Sequence, residues 1–295
     1  MIYLVKIKLL LMILIADGGS TKVDWIALDE NKNQLFKVRT PGLNPAVVEE
    51  KVLRERVLSA KEFSENLDTV TQIFFYGAGC GTKVATKILK DLFEDLFTNA
   101  TVVVEEDMLA AVYAATGSEP AIVCILGTGS NSCYYDGEKT HSSTVSLGYM
   151  LMDEASGNYF GKRLIRNYYY KIMPEHIAKK FEESYDLSPD TIKHNLYKEP
   201  NPNTYLADFA SFMFQFKEEK YVQDLMESGF NEFFETRVLP YKKDKSTPIY
   251  FIGSIAHYFY DILEKVANSH NLNLAGAIQR PIDNLIKYHQ EYLIK

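Results

Sequence analysis

Cysteine is scarce: Cys80, Cys124 and Cys133 are the only three in 295 residues. An odd number without Cys-x-x-Cys spacing speaks against a disulfide framework or a zinc site and for a reducing compartment, so the cytoplasm is the expected location. No block of Lys or Arg stands out, and at a formal net charge of -7 the basic footprint that nucleic acid requires is missing. Long apolar runs are missing too. The stretch Met1 to Leu11 is broken by Lys6 and Lys8, is too short to span a membrane, and continues into Met12-Ile13-Leu14-Ile15-Ala16 without a small-residue cleavage site. Met12 is therefore read as the natural start, and nothing before it has the pattern of a DNA-binding helix-turn-helix, which argues against a repressor. The P-loop signature, Gly-x4-Gly-Lys-Ser/Thr between a strand and a helix, does not occur, which closes that route to a nucleotide.

What is present is ample apolar material. Hydrophobic residues make up 46% of the chain, enough for sizeable cores in one large domain or, the better starting reading, in two of about 150 residues each. Apolar patterning predicts strands at Ile13 to Ala16, Val23 to Leu28 and Gln34 to Thr40, a helix over Pro45 to Ala60, and a strand at Gln72 to Tyr76. A helix over Thr82 to Phe97 follows, with Val84, Ile88, Leu92 and Leu96 on one face, and then a strand at Thr101 to Glu105. Gly117-Ser118-Glu119-Pro120 breaks the chain before a new apolar strand, Ala121 to Leu126. From Asn158 to Val238 the pattern is helical and rich in Tyr and Phe. Alternation then returns with a strand at Ile249 to Ile252, a weaker segment at Leu272 to Ala277 and a helix from Pro281 to Leu293.

One feature repeats. Asp17-Gly18-Gly19-Ser20-Thr21 and Gly127-Thr128-Gly129-Ser130 each join an apolar strand to a second strand, and each second strand ends in a polar turn. Either turn alone could be an ordinary hairpin. Two in register suggest a duplicated supersecondary unit whose backbone N–H groups and hydroxyls could clamp a polyphosphate. Asp17, at the end of a buried strand, needs a cation or donors: Mg2+ held through water would satisfy it, and so would capping its own turn. Asp107, after a strand and before the apolar run Met108 to Ala115, reads as a helix N-cap at the sheet edge where ligand-binding residues collect. Asn44 before Pro45 reads as a turn initiator, and Asp153-Glu154 as a helix-start pair. The clusters Tyr168-Tyr169-Tyr170 and Tyr258-Phe259-Tyr260 read as core packing.

Taken together these residues resemble the BadF/BadG/BcrA/BcrD ATPase family and, within it, the N-acetylglucosamine kinase-like proteins of the sugar kinase, Hsp70 and actin superfamily. Gly18, Gly19, Ser20, Thr21 and Lys22 look like the first phosphate motif, Gly127, Thr128, Gly129 and Ser130 like the second, and Gly253-Ser254 like the adenosine motif. The resemblance implies an α/β fold of two actin-like (ribonuclease H-like) domains flanking a nucleotide cleft, over 12–118 and 119–295, with a helical insert in the second and the last helix packing back on the first. It implies ATP and Mg2+ as cofactors, with Asp17 at the metal and Asp107 as catalytic base. An amino sugar such as N-acetylglucosamine is then expected at Asn44, Asp107, Ser130, Asp153 and Glu154, phosphorylated at its 6-hydroxyl. Where the family shows Gly-Asp-Glu-Gly-Ser, this chain has Met152-Asp153-Glu154-Ala155-Ser156, so the sugar's identity stays open. Expected partners are thus a small sugar and no nucleic acid or membrane, with room for a homodimer. The rival readings are an ATPase that activates a reductase through a cysteine-held iron–sulfur cluster, and a non-catalytic sugar- or ATP-binding protein.

Overall fold

The apolar run Met12–Gly18 becomes β1, buried along almost its whole length, and its hairpin partner is β2 (Lys22–Leu28), which pairs antiparallel with β3 (Gln34–Pro41). After α1 (Glu50–Leu58) and α2 (Lys61–Ser64), β4 (Val70–Gly77) lies parallel to β1. Helix α3 (Lys83–Leu96) then leads to β5 (Thr101–Glu106), parallel to β4, which completes a sheet of order β3-β2-β1-β4-β5. Helix α4 (Asp107–Thr116) follows directly.

A second sheet repeats the plan. Strands β6 (Ala121–Leu126) and β7 (Ser130–Tyr135) form the hairpin, with β8 (Thr140–His141) on the outside of β7. The chain then runs through α5 (Gly157–Tyr169), α6 (Glu175–Ser184), α7 (Pro189–Tyr197), α8 (Pro202–Ala210) and α9 (Lys220–Phe233), which together are the helical insert. Strand β9 (Pro248–Ile252) returns parallel to β6, helices α10 (Ser254–Tyr258) and α11 (Tyr260–Ser269) follow, and β10 (Asn273–Ile278) pairs parallel with β9. Helix α12 (Ile282–Tyr288) closes the run. Order β10-β9-β6-β7-β8 is the mirror listing of the first sheet: hairpin and third strand on one side, two parallel strands on the other.

This computed structural model describes residues 11–294, so the reading of residues 1–10 lies outside the described residues. Two compact units result, 11–107 with 289–294, and 108–288. In the first, Trp25 is buried among Phe63, Phe75 and Phe93 at ring distances of 4.9–5.8 Å, and its indole N–H donates to Thr40 Oγ1 at 3.0 Å, so the one polar atom of the largest core side chain is satisfied. In the second, Phe160, Phe181, Phe209, Phe212, Phe230 and Phe233 are fully buried between the insert helices and the sheet. Among the described residues no helix is long and apolar enough to cross a membrane.

Three expectations shift. Helix α1 begins at Glu50 rather than Pro45, because the Asn44 carbonyl accepts the N–H groups of Val47 and Val48 and its side chain accepts that of Ala46, which holds the chain in turns. Helix α3 buries Ala85, Leu89, Leu92 and Phe93, and Val84 points to solvent at 74% exposure: Phe93 docking on Trp25 rotates the helix away from the predicted face. Of the aromatic clusters, Phe259 is buried, whereas Tyr170 is 67% and Tyr258 45% exposed, so neither tyrosine is core.

Candidate functional site

In the first unit the parallel strands end in one row, since Gly18 stands opposite Gly77 and Gly77 opposite Glu106. Asp17 lies one residue before this row on β1 and Asp107 one residue after it at the start of α4, so both sit at the carboxyl edge of the sheet, the edge at which α/β sheets bind ligands. The turn between β1 and β2 is closed by the Gly19 N–H donating to the Lys22 carbonyl at 2.8 Å, which sets Ser20 and Thr21 at its tip. Asn44 is brought to this turn: its Nδ2 donates to Ser20 Oγ at 2.9 Å and it is nearly buried. The structure therefore gives Asn44 both the turn role and a place beside the first glycine turn.

Asp17 is the unsatisfied group of this edge. Its carboxylate has no hydrogen-bond donor among the described residues, and burial first, then the like charge of Asp24 opposite it on β2, push its pKa up to about 7 against the weaker pull of Lys22. Lys22 is half-exposed with its Nζ 4.0 Å from Asp24. Burial likewise raises Glu106, and burial followed by the charges of Asp107, Glu106 and Glu105 pushes the neighbouring Cys80 thiol up to about 12. An edge this rich in negative charge fits a hydrated divalent cation, which Mg2+ satisfies with one or two carboxylates plus water and phosphate oxygens.

In the second unit the turn between β6 and β7 is welded to the start of α5. The Gly157 N–H donates to the Gly127 carbonyl at 2.8 Å and the Asn158 N–H to that of Thr128 at 3.0 Å. Asp153 folds back onto the same turn. It accepts from the Ser130 backbone N–H and from Asn158 Nδ2 at 2.8 Å, and a Cβ on Gly129 would stand only 2.8 Å from its Oδ2. Burial nonetheless raises its pKa. Two buried polar atoms beside it, Ser130 Oγ and Asn158 Oδ1, have no hydrogen-bond partner, so each keeps a hydrogen-bonding position that a polar ligand could take. Gly253 joins the group: it adopts φ +120°, and a Cβ there would lie 2.3 Å from the Leu126 carbonyl oxygen, so the third motif is pressed against the second. Ser254 opens α10 next to it.

Glu154 goes elsewhere. It pairs with buried Arg237, Nε to Oε2 at 3.1 Å, and the Arg237 Nη2 also donates to Met152 Sδ at 3.3 Å. Met152, where the family pattern has glycine, thus packs on the same arginine. Asn158 and Arg237 were not foreseen as site residues. Asn158 had a local signal, two positions past Ser156; Arg237 lies 83 positions from Glu154 and had none.

No family model and no curated protein sequence matches the chain, but solved structures do. A candidate N-acetylglucosamine kinase from Porphyromonas gingivalis is 35% identical, with a TM-score of 0.86 over 95% of this chain and 99% of that one. The chain belongs to this N-acetylglucosamine kinase-like family. A second N-acetylglucosamine kinase-like structure, from Chromobacterium violaceum, has a TM-score of 0.71 at 14% identity, over 95% of this chain and 99% of that one. A ROK family glucokinase from Streptomyces griseus, solved with glucose and AMPPNP, has a TM-score of 0.56 at 13% identity, over 94% and 97%. At such identities the last two speak for the fold, which is the α/β actin-like one of paired five-stranded sheets.

Proposed function

We propose that this protein is an ATP-dependent sugar kinase that transfers the γ-phosphate to an amino sugar such as N-acetylglucosamine, at its 6-hydroxyl. The observation that carries the reading is Asp17: a carboxylate without a donor among the described residues, raised to about 7, beside a glycine turn at the same carboxyl edge of the sheet that Asp107 follows. Mg2+ at Asp17 would neutralise phosphate charge when bound. The turns Gly18 to Thr21 and Gly127 to Ser130, with Lys22, would hold the phosphates through the N–H groups not used to close them, those of Gly19, Gly127 and Ser130 being engaged by Lys22, Gly129 and Asp153, and Gly253-Ser254 would hold the adenosine. Asp107 takes the proton of the sugar hydroxyl as the new oxygen–phosphorus bond forms and the bond between the β- and γ-phosphates breaks, releasing ADP. Asp153, Asn158 and Ser130 offer the sugar an acceptor carboxylate, an amide oxygen and a hydroxyl, the last two left unpaired.

The reductase-activating ATPase is the weaker reading. All three cysteines are buried and free, and burial raises the Cys80 and Cys124 thiols, which disfavours the thiolates that cluster ligation needs. An ADP-release screen over amino sugars and hexoses, with ATP alone as blank, tests the proposal. Sugar-dependent ADP release supports it, and release without sugar, or none with any sugar, overturns it. Asp107→Asn is expected to keep ATP binding and lower turnover at least ~100-fold; unchanged turnover removes Asp107 from the base role.

A further inference from the structure

Past Met152 and Glu154, which flank Asp153, the second unit has an open pocket of about 470 Å³ along α5. That volume is in the range of metabolite sites. Helix α5 contributes Tyr159, Lys162, Arg163 and Arg166 to it, spaced to share one side of the helix, and the facing loop contributes Met150 and Leu151, both about three-quarters exposed. Leu206 adds to the apolar wall.

The charges in this cavity do not balance. Both of its carboxylates are engaged: Glu154 by Arg237, and Glu232 by the Tyr159 hydroxyl and, at 3.7 Å, by Arg163. Lys162 has no carboxylate partner among the described residues. Its half-buried ammonium donates to the Tyr149 carbonyl, and loss of water lowers its pKa even though Asp153 and Glu154 pull the other way. Arg166 is exposed, its guanidinium 6.0 Å from the centre of the Tyr170 ring and likewise without a carboxylate. A solvated helix face would keep such cations fully in water; here one of them is drawn into a partly dehydrated hollow and answered by a single carbonyl.

We propose that this cavity binds a small molecule carrying a phosphate or carboxylate group, with Lys162 and Arg166 holding the anion and Met150, Leu151 and Leu206 covering the uncharged part. The site is made from the second unit alone and does not depend on the phosphotransfer reading. Charge-assisted hydrogen bonds from two cations suit either anion.

Isothermal titration calorimetry of the full chain without ATP tests it, with inorganic phosphate, glucose 6-phosphate and glucuronate as probes and glucose as the uncharged control. Saturable binding of at least one anion, weakened ~10-fold or more in both Lys162→Gln and Arg166→Gln, is expected. ATP binding should be unchanged in both variants. Phosphate compounds alone binding would assign a phosphate ligand, and glucuronate alone a carboxylate; either supports the proposal. No saturable binding of any anion, or wild-type affinity in both variants, overturns it. Because Arg166 is exposed, Arg166→Gln keeps the fold even where Lys162→Gln does not. Since neither turnover nor ATP enters the measurement, a failed kinase assay would leave this result standing, and the reverse.

Discussion

Asp17 and Asp153 are carboxylates beside equivalent glycine turns, yet their surroundings differ. Asp153 is held by the Ser130 N–H and by Asn158, whereas Asp17 has no donor among the described residues. Its pKa of about 7 lies above the unfolded value of 3.8, so the folded chain holds a proton that the unfolded chain releases, and this contribution to stability is lost as pH rises from about 4 to about 7. Asp17→Asn should therefore raise the stability of metal-free protein at pH 8, by about 1–2 kcal/mol, while abolishing Mg2+-dependent turnover. Thermal melts at pH 5 and pH 8 decide it: an unchanged pH 8 melt would show that the carboxylate is already compensated. A second residue-scale expectation concerns Ala155, fully buried and left-handed at φ +57° where the family pattern has glycine. Relief of that backbone, about 1–2 kcal/mol, is offset by losing a buried methyl, about 0.8 kcal/mol, and by a freer unfolded chain. Ala155→Gly should then be neutral to within about 1 kcal/mol in urea titration, and Ala155→Val, β-branched and larger, should cost more than about 2 kcal/mol. Equal costs for the two would contradict this account.

At the scale of elements, the turns were legible in the sequence because they combine glycine with the ends of apolar strands, and the repeat they announced is real: both sheets are built to one plan. What periodicity could not reveal was set by tertiary contact. The buried face of α3 follows Phe93, and the start of α1 follows hydrogen bonds to Asn44, neither of which a 3.6-residue pattern encodes. At the site, Asp153 and Asn44 were legible as polar residues near turns, but the diversion of Glu154 to Arg237 was not, since the partner is remote in sequence. The junction of β9 with α10 shows how an element boundary can be tested. Gly253 there combines φ +120° with a carbonyl oxygen 2.3 Å from where a Cβ would stand. Gly253→Ala must push β9 away from the end of β6, and a loss of about 2–4 kcal/mol, roughly 5–10 °C in melting temperature, is expected. A variant melting within about 1 °C of wild type would mean that the junction yields freely.

At the scale of the whole molecule, the chain leaves its first unit at Asp107 and re-enters it at His289. That return is fastened by burial. His289 is fully inaccessible, its Nε2 2.9 Å from the hydroxyl of Tyr76, a residue 213 positions earlier, and its ring is centred 4.6 Å from that of Phe74. A neutral imidazole fits such a place and a charged one does not, so burial lowers the pKa from 6.5 to about 4. The sign follows: between these values the unfolded chain takes up a proton that the folded chain refuses, so stability is complete above pH 6.5 and declines as pH falls toward 4. By linkage the decline approaches about 3 kcal/mol. His289→Phe should remove this part of the acid slope and cost about 1 kcal/mol near pH 8, where the hydrogen bond between the Tyr76 hydroxyl and the His289 ring is lost. Urea titrations of both proteins at pH 8, 6 and 4.5 separate the two effects, because the wild type should lose its advantage as the pH drops. If the difference between the proteins stays constant across that range, protonation of His289 is not what loosens the returning segment in acid.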